Sequence, residues 1–525
     1  MMILHMIPGS RTRWQTFVPA QSHARELAWL LTIALSILFA LVLALVGPLL
    51  VGAAIGAFVV LIVLLRYPWL GVLLLVASVP AQDFGALQIG GQSLTLTRAM
   101  FPLALLGYLI ALIVGAERVR GSRVLVPYLV FVSIVVISSA SASSMAAVGS
   151  EIGRWLTAFI AFVVLLHFLI DSSRKRLLAL VSVMALGGVF QATYGVTQSI
   201  FAIGPDSFRV GDEGSRAFGT FGQPNSYAGY LEMVLFPVFW VGVYVAGRSI
   251  AKVRQYQRAR LDGYHQSIAV RRETVLTALL CVFLLGSAVL ILGGIVASYS
   301  RGAWLGIAAG GTLSALLFHG WIRRAAILLA PLAVLVLLGG ASSVLPEALQ
   351  ERVTTGFADI RPFDASNITI TSDNFAAAER MAHWQAGWRM FADEPVSGVG
   401  AGNFNELYPE YFVREQFQFS RGHAHNFYIH LLAEVGLPGL AASLVLAVSF
   451  LYLALLIVLK APRGFERMLA LGMFGTIVSV SVHNVFENLH VLNLSIQMGA
   501  IWALTIAAHR RWHRTMQEPL GEPTT

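Results

Sequence analysis

The chain has 525 residues, of which 57% are hydrophobic and only 12% are charged. A soluble domain carries roughly 25% charged residues, so most of this chain cannot form an ordinary water-facing surface. The formal charge of +9 does not indicate nucleic-acid binding, because the basic residues fall in short clusters between apolar runs. The single cysteine, Cys281, lies in an apolar run, which excludes a disulfide framework and a thiolate metal site.

Apolar runs long enough to cross a bilayer as helices, about 17–25 residues each, recur along the chain. In chain order they cover 27–46, 49–65, 98–115, 124–140, 152–170, 177–200, 226–247, 274–299, 302–318, 325–341, 440–459, 466–485 and 489–508, with a shorter run at 69–80. They predict an all-α, polytopic transmembrane helical bundle of about 12–14 spans. Because the first run continues directly into the second, we interpret it as a retained span rather than a cleaved signal.

The positive charges between the runs predict the orientation of the bundle. If residues 1–26 are cytoplasmic, the basic clusters all fall on connections at the inner side: Arg66, Arg118–Arg123, Arg174–Arg176, the 248–273 loop, Arg323–Arg324 and Lys460–Arg467. The 248–273 loop alone holds seven basic residues against two acidic ones. The tail at 509–525 is also basic where it leaves the last run. We therefore predict that both termini are cytoplasmic.

One connection on the opposite side, residues 342–426, is much longer than the others. It contains six arginines, no lysine and eleven acidic residues, so it is acidic as well as large. The predicted organisation is therefore transmembrane helices 1–11 over 27–341, a large extracytoplasmic loop over 342–426, and C-terminal transmembrane helices over 427–508.

Part of this loop has the spacing of an amphipathic helix. Within 376–391, Met381, Trp384, Trp388 and Phe391 recur at steps of three and four residues. A proline and a run of glycines at 395–402 follow and end the pattern. The sequence predicts a helix that lies on the outer membrane surface or caps a cavity.

Three polar motifs fall at the predicted outer ends of the spans: 216–225, 298–304 and 423–426. An arginine costs at least about 2.5–3.5 kcal/mol at mid-bilayer, so Arg301 must lie near a helix end or be paired. Its guanidinium suits phosphate oxygens, and the alternative is an interfacial anchor that reaches water. Arg216 has the same two interpretations, as a ligand or as a solvated loop residue. His425 could act as a general base or be a surface histidine.

Other polar patterns near these motifs have plainer explanations. The spacing of His423 and His425 would suit a metal clip, but no HExxH pattern or cysteine ligand completes it, so no metal is expected. His430 and Glu434 are four residues apart on a predicted helix, which favours a structural pair. The glycine run at 398–402 follows a helix rather than a strand, so a tight turn is favoured over a nucleotide loop. The polar residues at 483–488 would cap helices or line a cavity.

These motifs carry a resemblance to a known family. His425-Asn426, nine residues, Gly436, two residues and Gly439 match the pattern His-(Asn/Ser/Gln)-x9-Gly-x-x-(Gly/Thr/Tyr) of the O-antigen ligases. The motifs at 300–302, 222–225 and 379–400 are also similar. The chain thus resembles the O-antigen ligase and O-antigen polymerase superfamily of bacterial cell-envelope enzymes, over about residues 216–439.

The resemblance implies a metal-independent, inverting glycosyltransferase with a GT-C-like helical bundle and no cofactor. The implied donor is a glycan on undecaprenyl diphosphate, and the implied location is the bacterial plasma (inner) membrane with the active site facing the periplasm. The implied acceptor is lipid A core, a growing glycan or a protein, so ligase, polymerase and protein O-oligosaccharyltransferase all stay open. About fourteen spans exceed the roughly twelve expected for the family.

The resemblance also implies roles for individual residues. Arg301 and Arg216 would hold the donor diphosphate and offset the charge that grows on it. His425 would take the proton from the acceptor hydroxyl. The supporting candidates are Asn426, Tyr299, Gln223, Asn225 and Arg380.

The rival class is a transporter or flippase for a lipid-linked glycan, and a third possibility is a glycan-binding scaffold. Transporters usually place their binding groups near the bilayer midplane and often contain an internal repeat, which this sequence lacks.

Overall fold

The computed structural model describes residues 48–81, 87–89, 92–114, 121–210, 214–261, 268–328, 363–371 and 374–517. The predicted N-terminal segment 1–26, the run at 27–46, most of the run at 325–341, residues 342–362 of the large loop, and 518–525 of the tail lie outside these residues. The chain divides into two units, Met1–Arg66 and Tyr67–Thr525. In the first unit, helix α1 spans Pro48–Arg66, where the sequence predicts a membrane span.

The second unit consists of helices joined by loops and two small hairpins. Its main helices are α2 (Trp69–Ser78), α3 (Leu96–Ile113), α4 (Leu125–Ser138), α5 (Met145–Leu169), α6 (Arg174–Ile200), α7 (Pro224–Leu261), α8 (Ile268–Ala297), α9 (Arg301–Leu317), α10 (Phe375–Asp393), α11 (Phe404–Tyr411), α12 (Phe427–Lys460), α13 (Phe465–His483) and α14 (Leu494–Gln517). The antiparallel hairpins are β1 (Leu87–Ile89) with β2 (Gln92–Leu94), and β3 (Arg209–Val210) with β4 (Gly214–Ser215).

Seven helices of the described residues are long and apolar enough to cross a membrane by length and composition. They are Leu96–Ile113, Met145–Leu169, Arg174–Ile200, Pro224–Arg258, Val270–Ala297, Phe427–Lys460 and Phe465–His483. Trp69–Ala81 and Leu125–Ser141 are shorter apolar helices. The prediction of an all-α, polytopic membrane protein is therefore confirmed.

Two helices differ in extent from the apolar runs. The run at 489–508 predicts a helix from 489, but α14 begins at Leu494, because Leu492 and Asn493 have left-handed backbone angles of φ 51° and 62°. Conversely, α7 continues to Leu261, well beyond the run at 226–247. Residues 248–261 of the basic loop are thus helical.

Helix α13 lies at the centre of the bundle, packed against α7, α9, α12 and α14. Glycines allow the closest approaches: a Cβ on Gly310 of α9 would lie 2.3 Å from the carbonyl oxygen of Gly475, and one on Gly472 would lie 2.7 Å from Cα of Pro237. By contrast, α8 carries exposed apolar side chains such as Val282 and Val289, as expected for a surface in contact with lipid.

Helix α12 is kinked at Gly436, which has φ 67° and ψ −171°. The glycine run that follows α10 packs into this kink, with the Leu437 N–H bonded to the Pro395 carbonyl at 2.9 Å and the Val399 N–H bonded to the Ala433 carbonyl at 2.8 Å. The glycine run therefore forms a tight turn that fits against the backbone of α12.

The predicted amphipathic helix corresponds to α10, but its buried face coincides with the predicted stripe only in part. Trp388 is 55% exposed, and the buried side chains include Met381, Ala382, Ala386 and Met390. The small alanines let α10 lie close to α12. Trp388 is turned outward, whereas Trp384 is partly buried and contacts the segment that carries His425. Whether that exposed face meets the membrane stays a prediction.

The end of the bundle opposite to the three motifs is built from basic residues around one carboxylate. Glu466 accepts hydrogen bonds from Arg174 at 3.3 Å and from Arg511 at 3.1 Å. Arg511 also donates to the Ser172 carbonyl at 3.0 Å. Three of the connections predicted on one side of the membrane thus meet at one end of the helices.

Candidate active site

The first two motifs meet through Arg216. Its backbone N–H donates to the Phe208 carbonyl at 2.8 Å, which ties it to the β3–β4 hairpin. Its side chain donates from Nε to the Ser298 carbonyl at 3.0 Å and from Nη2 to Oδ1 of Asn225 at 3.1 Å. The guanidinium is therefore held between the 216–225 segment and the turn that precedes Arg301.

The 216–225 segment is held in place by two buried glutamines that the sequence reasoning missed. The Gln198 side chain donates to the Gly219 carbonyl at 3.1 Å and accepts from the Gly219 N–H at 2.7 Å. The Gln191 side chain accepts from the Thr220 N–H at 3.1 Å. Both lie within a predicted span, where a lone glutamine gives no signal of its partner. Gln223 is exposed at the turn that this segment forms.

Arg301 is the first residue of α9 and is half-buried, so it lies at a helix end, as predicted. The turn before it contains Tyr299, whose φ of 51° is uncommon for a residue other than glycine. Ser300 Oγ lies 3.4 Å from Nε2 of His483, and Nδ1 of His483 lies 2.7 Å from Glu232. This buried chain of polar side chains fixes the start of α9.

His425 lies at the end of the large loop and also has a left-handed backbone, with φ 50°. Trp384 of α10 donates to the His425 carbonyl at 3.2 Å, and the His383 ring packs edge-on against the imidazole at 5.5 Å between centroids. Helix α10 thus positions His425. The next residue, Asn426, caps α12, since its Oδ1 accepts from the Tyr428 and Ile429 N–H groups at 3.0 Å each.

Glu487 joins the motifs, and its role was not identified from the sequence. Its side chain is 6% exposed, and its Oε1 lies 3.3 Å from both His425 Nδ1 and His423 Nε2. Its Oε2 accepts a hydrogen bond from Asn225 Nδ2. The sequence offered helix capping or cavity lining for this residue, and nothing in the local pattern indicated contact with His425.

Electrostatics at this cluster favour an ionised Glu487 beside a neutral His423. Burial opposes ionisation of Glu487, but electrostatic interactions with His425, His423 and Arg380 and the His425 hydrogen bond outweigh it and hold the pKa well below its usual range. Burial lowers the pKa of His423 to about 4, although the nearby Glu487 charge acts in the opposite direction. Arg380 of α10 therefore acts on the cluster through its charge.

Donor atoms of His423, His425 and Glu487 lie within 4.8 Å of one another, which is a spacing that also suits a metal ion. The contacts with the carboxylate already account for this spacing, because each imidazole faces Glu487 through a ring nitrogen. The expectation that the protein needs no metal remains a prediction.

The His430–Glu434 pair is structural. The two side chains are 3.7 Å apart, and Glu434 accepts from the Gly402 and Phe404 N–H groups at 2.9 and 3.1 Å. This carboxylate therefore connects the glycine turn to α12 and lies among the contacts that shape the kink.

Comparison with known proteins identifies the domain that contains much of this cluster. No curated protein matches the chain. Residues 286–444 match the family described as O-antigen ligase, a range that includes Arg301, α10, His425 and the Gly436 kink. The chain is therefore a multi-pass membrane protein in which residues 286–444 are similar to the O-antigen ligase family, and this similarity supports a role in surface-polysaccharide glycan transfer.

Proposed function

We propose that this protein transfers a glycan from undecaprenyl diphosphate to an acceptor hydroxyl at the outer face of the bacterial plasma membrane. The observation that carries the proposal is the meeting of three motifs that are far apart in the sequence. Arg216, Asn225, Glu487 and His425 form one continuous chain of polar contacts, and Arg216 also bonds the turn that begins α9.

In the proposed reaction, Arg216 and Arg301 bind the donor diphosphate. The acceptor oxygen attacks the anomeric carbon with inversion, while the bond from that carbon to the diphosphate oxygen breaks. The electron pair of that bond goes to the diphosphate, where the two guanidinium groups offset the added charge. His425 takes the proton of the acceptor hydroxyl.

The contacts of the supporting residues suggest what each of them does in the proposed reaction. Asn225 orients Arg216, and Tyr299 shapes the turn before Arg301. Asn426 caps the helix that follows His425, and Arg380 adds positive charge near the cluster. Gln223 is exposed beside this site, where we propose that it contacts the donor.

The test is glycan transfer by the purified protein in liposomes. The donor is a glycan linked to undecaprenyl diphosphate, and the acceptors are lipid A core, the non-reducing end of a repeat-unit glycan, and a protein rich in serine and threonine. His425→Ala, Arg301→Ala and Arg216→Ala are each expected to lose transfer by about a hundredfold or more. Arg389→Ala, at an exposed position on α10, is the matched control and should retain wild-type transfer.

The acceptor that is consumed distinguishes ligase, polymerase and protein O-oligosaccharyltransferase. Transfer that continues in EDTA supports a metal-independent reaction, and transfer abolished by EDTA and restored by a divalent cation contradicts it. If no acceptor is glycosylated and the donor instead moves between leaflets, the protein is a flippase and the proposal is wrong.

A further inference from the structure

Glu487 lies in the segment that joins α13 to α14, whereas His425 lies at the end of the large loop, just before α12. A buried carboxylate is stable only where hydrogen bonds replace its lost water. Here the Asn488 N–H donates to Oε1 at 3.1 Å, Asn225 donates to Oε2, and His425 contributes a hydrogen bond at 3.3 Å. The His423 ring lies 3.3 Å from the same carboxylate. The carboxylate is therefore fully engaged in one orientation.

The contacts fix which nitrogen of each histidine carries the proton. The His425 backbone N–H donates to Nδ1 of His423 at 3.1 Å, so the proton of neutral His423 is on Nε2, which faces Glu487. An ionised Glu487 can only accept, so His425 must also present an N–H to it, from Nδ1. Nε2 of neutral His425 is left unprotonated, as a general base requires.

The Glu487 carboxylate is also connected to Arg216, through Asn225. Asn225 donates through Nδ2 to Glu487 and accepts through Oδ1 from Arg216 at 3.1 Å. The amide does both, whereas an aspartate would place a second negative charge against Glu487. The Asn225 amide thus connects Glu487, which faces His425, to Arg216, which is proposed to bind the diphosphate.

We propose that Glu487 is the positioning residue of this site: it holds His425 with its proton on Nδ1, stabilises the imidazolium that forms during transfer, and orients Arg216 through Asn225. This rests on the proposed function. In the step, the acceptor O–H proton moves to Nε2 of His425 as the oxygen bonds to the anomeric carbon. The diphosphate leaves with the electron pair of the broken bond, and the positive charge gained by His425 faces Glu487.

The kinetic test uses the full chain in liposomes with Glu487→Gln, Glu487→Asp, and the exposed matched control Glu410→Gln. Glu487→Gln is expected to lower kcat by about a hundredfold, with a smaller change in the donor KM. It should also shift the acidic limb of the pH–rate profile to lower pH, because a neutral amide does not stabilise an imidazolium. Glu487→Asp should recover part of kcat, and Glu410→Gln should match the wild type.

A second measurement does not depend on activity or on the folding of a Glu487 variant. In protein labelled with 15N-histidine, the His425 signals are assigned by their loss in His425→Gln, and their shifts report which nitrogen carries the proton. Protonation of wild-type His425 on Nδ1 is the expected result, and protonation on Nε2 overturns the inference.

The failures of the inference and of the proposed function are distinguishable. If the wild type transfers glycan and Glu487→Gln retains its kcat and pH profile, the positioning role is wrong and the transferase stands. If the wild type transfers nothing, the proposed function fails, and the tautomer measurement still decides whether Glu487 orients His425.

Discussion

At the scale of single residues, the site contains two residues other than glycine with left-handed backbones, Tyr299 and His425. Each such conformation costs about 1–3 kcal/mol, so the surrounding contacts must enforce it. At His425 these contacts come from Trp384 on the carbonyl and Glu487 on the ring. The imidazole is therefore held in place before any substrate binds, which is the property expected of a general base.

Buried neutral histidines next to the site predict a loss of stability in acid. Burial lowers the pKa of His490 to about 3, with the charge of Arg154 acting in the same direction, and the ring stacks on Phe427 at 4.3 Å. Below pH 6.5 the unfolded chain binds a proton at His490 that the folded protein does not. The contribution of His490 to the free energy of unfolding is therefore fully present above pH 6.5 and is lost as the pH decreases.

We expect His490→Phe, which retains the stacking, to reduce the slope of the free energy of unfolding against pH. The expected reduction is up to about 1.4 kcal/mol per pH unit between pH 6 and 4. Thermal unfolding in detergent across this pH range measures it. His319→Gln, at an exposed position, should follow the wild-type curve. A His490→Phe curve parallel to the wild type would contradict the assignment.

At the scale of elements, the kink in α12 explains the spacing of the His425 motif. The residues between Asn426 and Gly436 form the first part of α12, and Gly436 then turns the chain where the glycine turn packs. A Cβ on Gly439 would lie 2.5 Å from Cβ of Val435, so a small residue is also needed after the kink. The motif thus encodes a short helix of fixed length between His425 and the kink.

Gly436→Ala should therefore destabilise the protein. Its Cβ would lie 2.3 Å from the Val396 carbonyl oxygen, and φ 67° is unfavourable for alanine. We expect a loss of at least about 2 kcal/mol, seen as a lower Tm in detergent. Gly286→Ala is the matched control, because nothing lies within 4 Å of that position on helix α8 and helix propensity favours alanine. Equal Tm values for the two variants would refute this account of the kink.

At the scale of the whole molecule, the bundle has two chemically different ends. The His425–Glu487 cluster lies at one end of α13, and Glu466, with Arg174 and Arg511, lies at the other. A lipid-linked donor needs an end where sugars are in water, and basic connections favour the cytoplasm. Which end faces the periplasm stays a prediction.

Cysteine labelling tests this orientation. In a Cys281→Ser background, Asn367→Cys in the large loop should react with a membrane-impermeant maleimide in intact spheroplasts. Gln255→Cys, on the basic extension of α7, should react only after lysis. Both positions are exposed. The reverse pattern would show that the bundle is inverted and that the site faces the cytoplasm.

The sequence by itself determined the class of the molecule, because apolar length and charge placement are local properties that lipid imposes on every span. It also indicated Arg301, since an arginine next to apolar runs is costly to retain. Arg216 and His425 were indicated by the family resemblance. The tight turn at 398–402 was also predicted from the sequence, because a run of glycines there ends the helical pattern.

Only the tertiary structure decided which side chains meet. Glu487, Gln191 and Gln198 are ordinary polar residues in their own segments, and their importance comes from partners 20 or more positions away in the chain. The buried face of α10 was likewise set by how closely α12 approaches, and not by hydrophobic periodicity alone. Hydrogen bonds between distant segments depend on a geometry of a few tenths of an ångström, which exists only after the helices have packed.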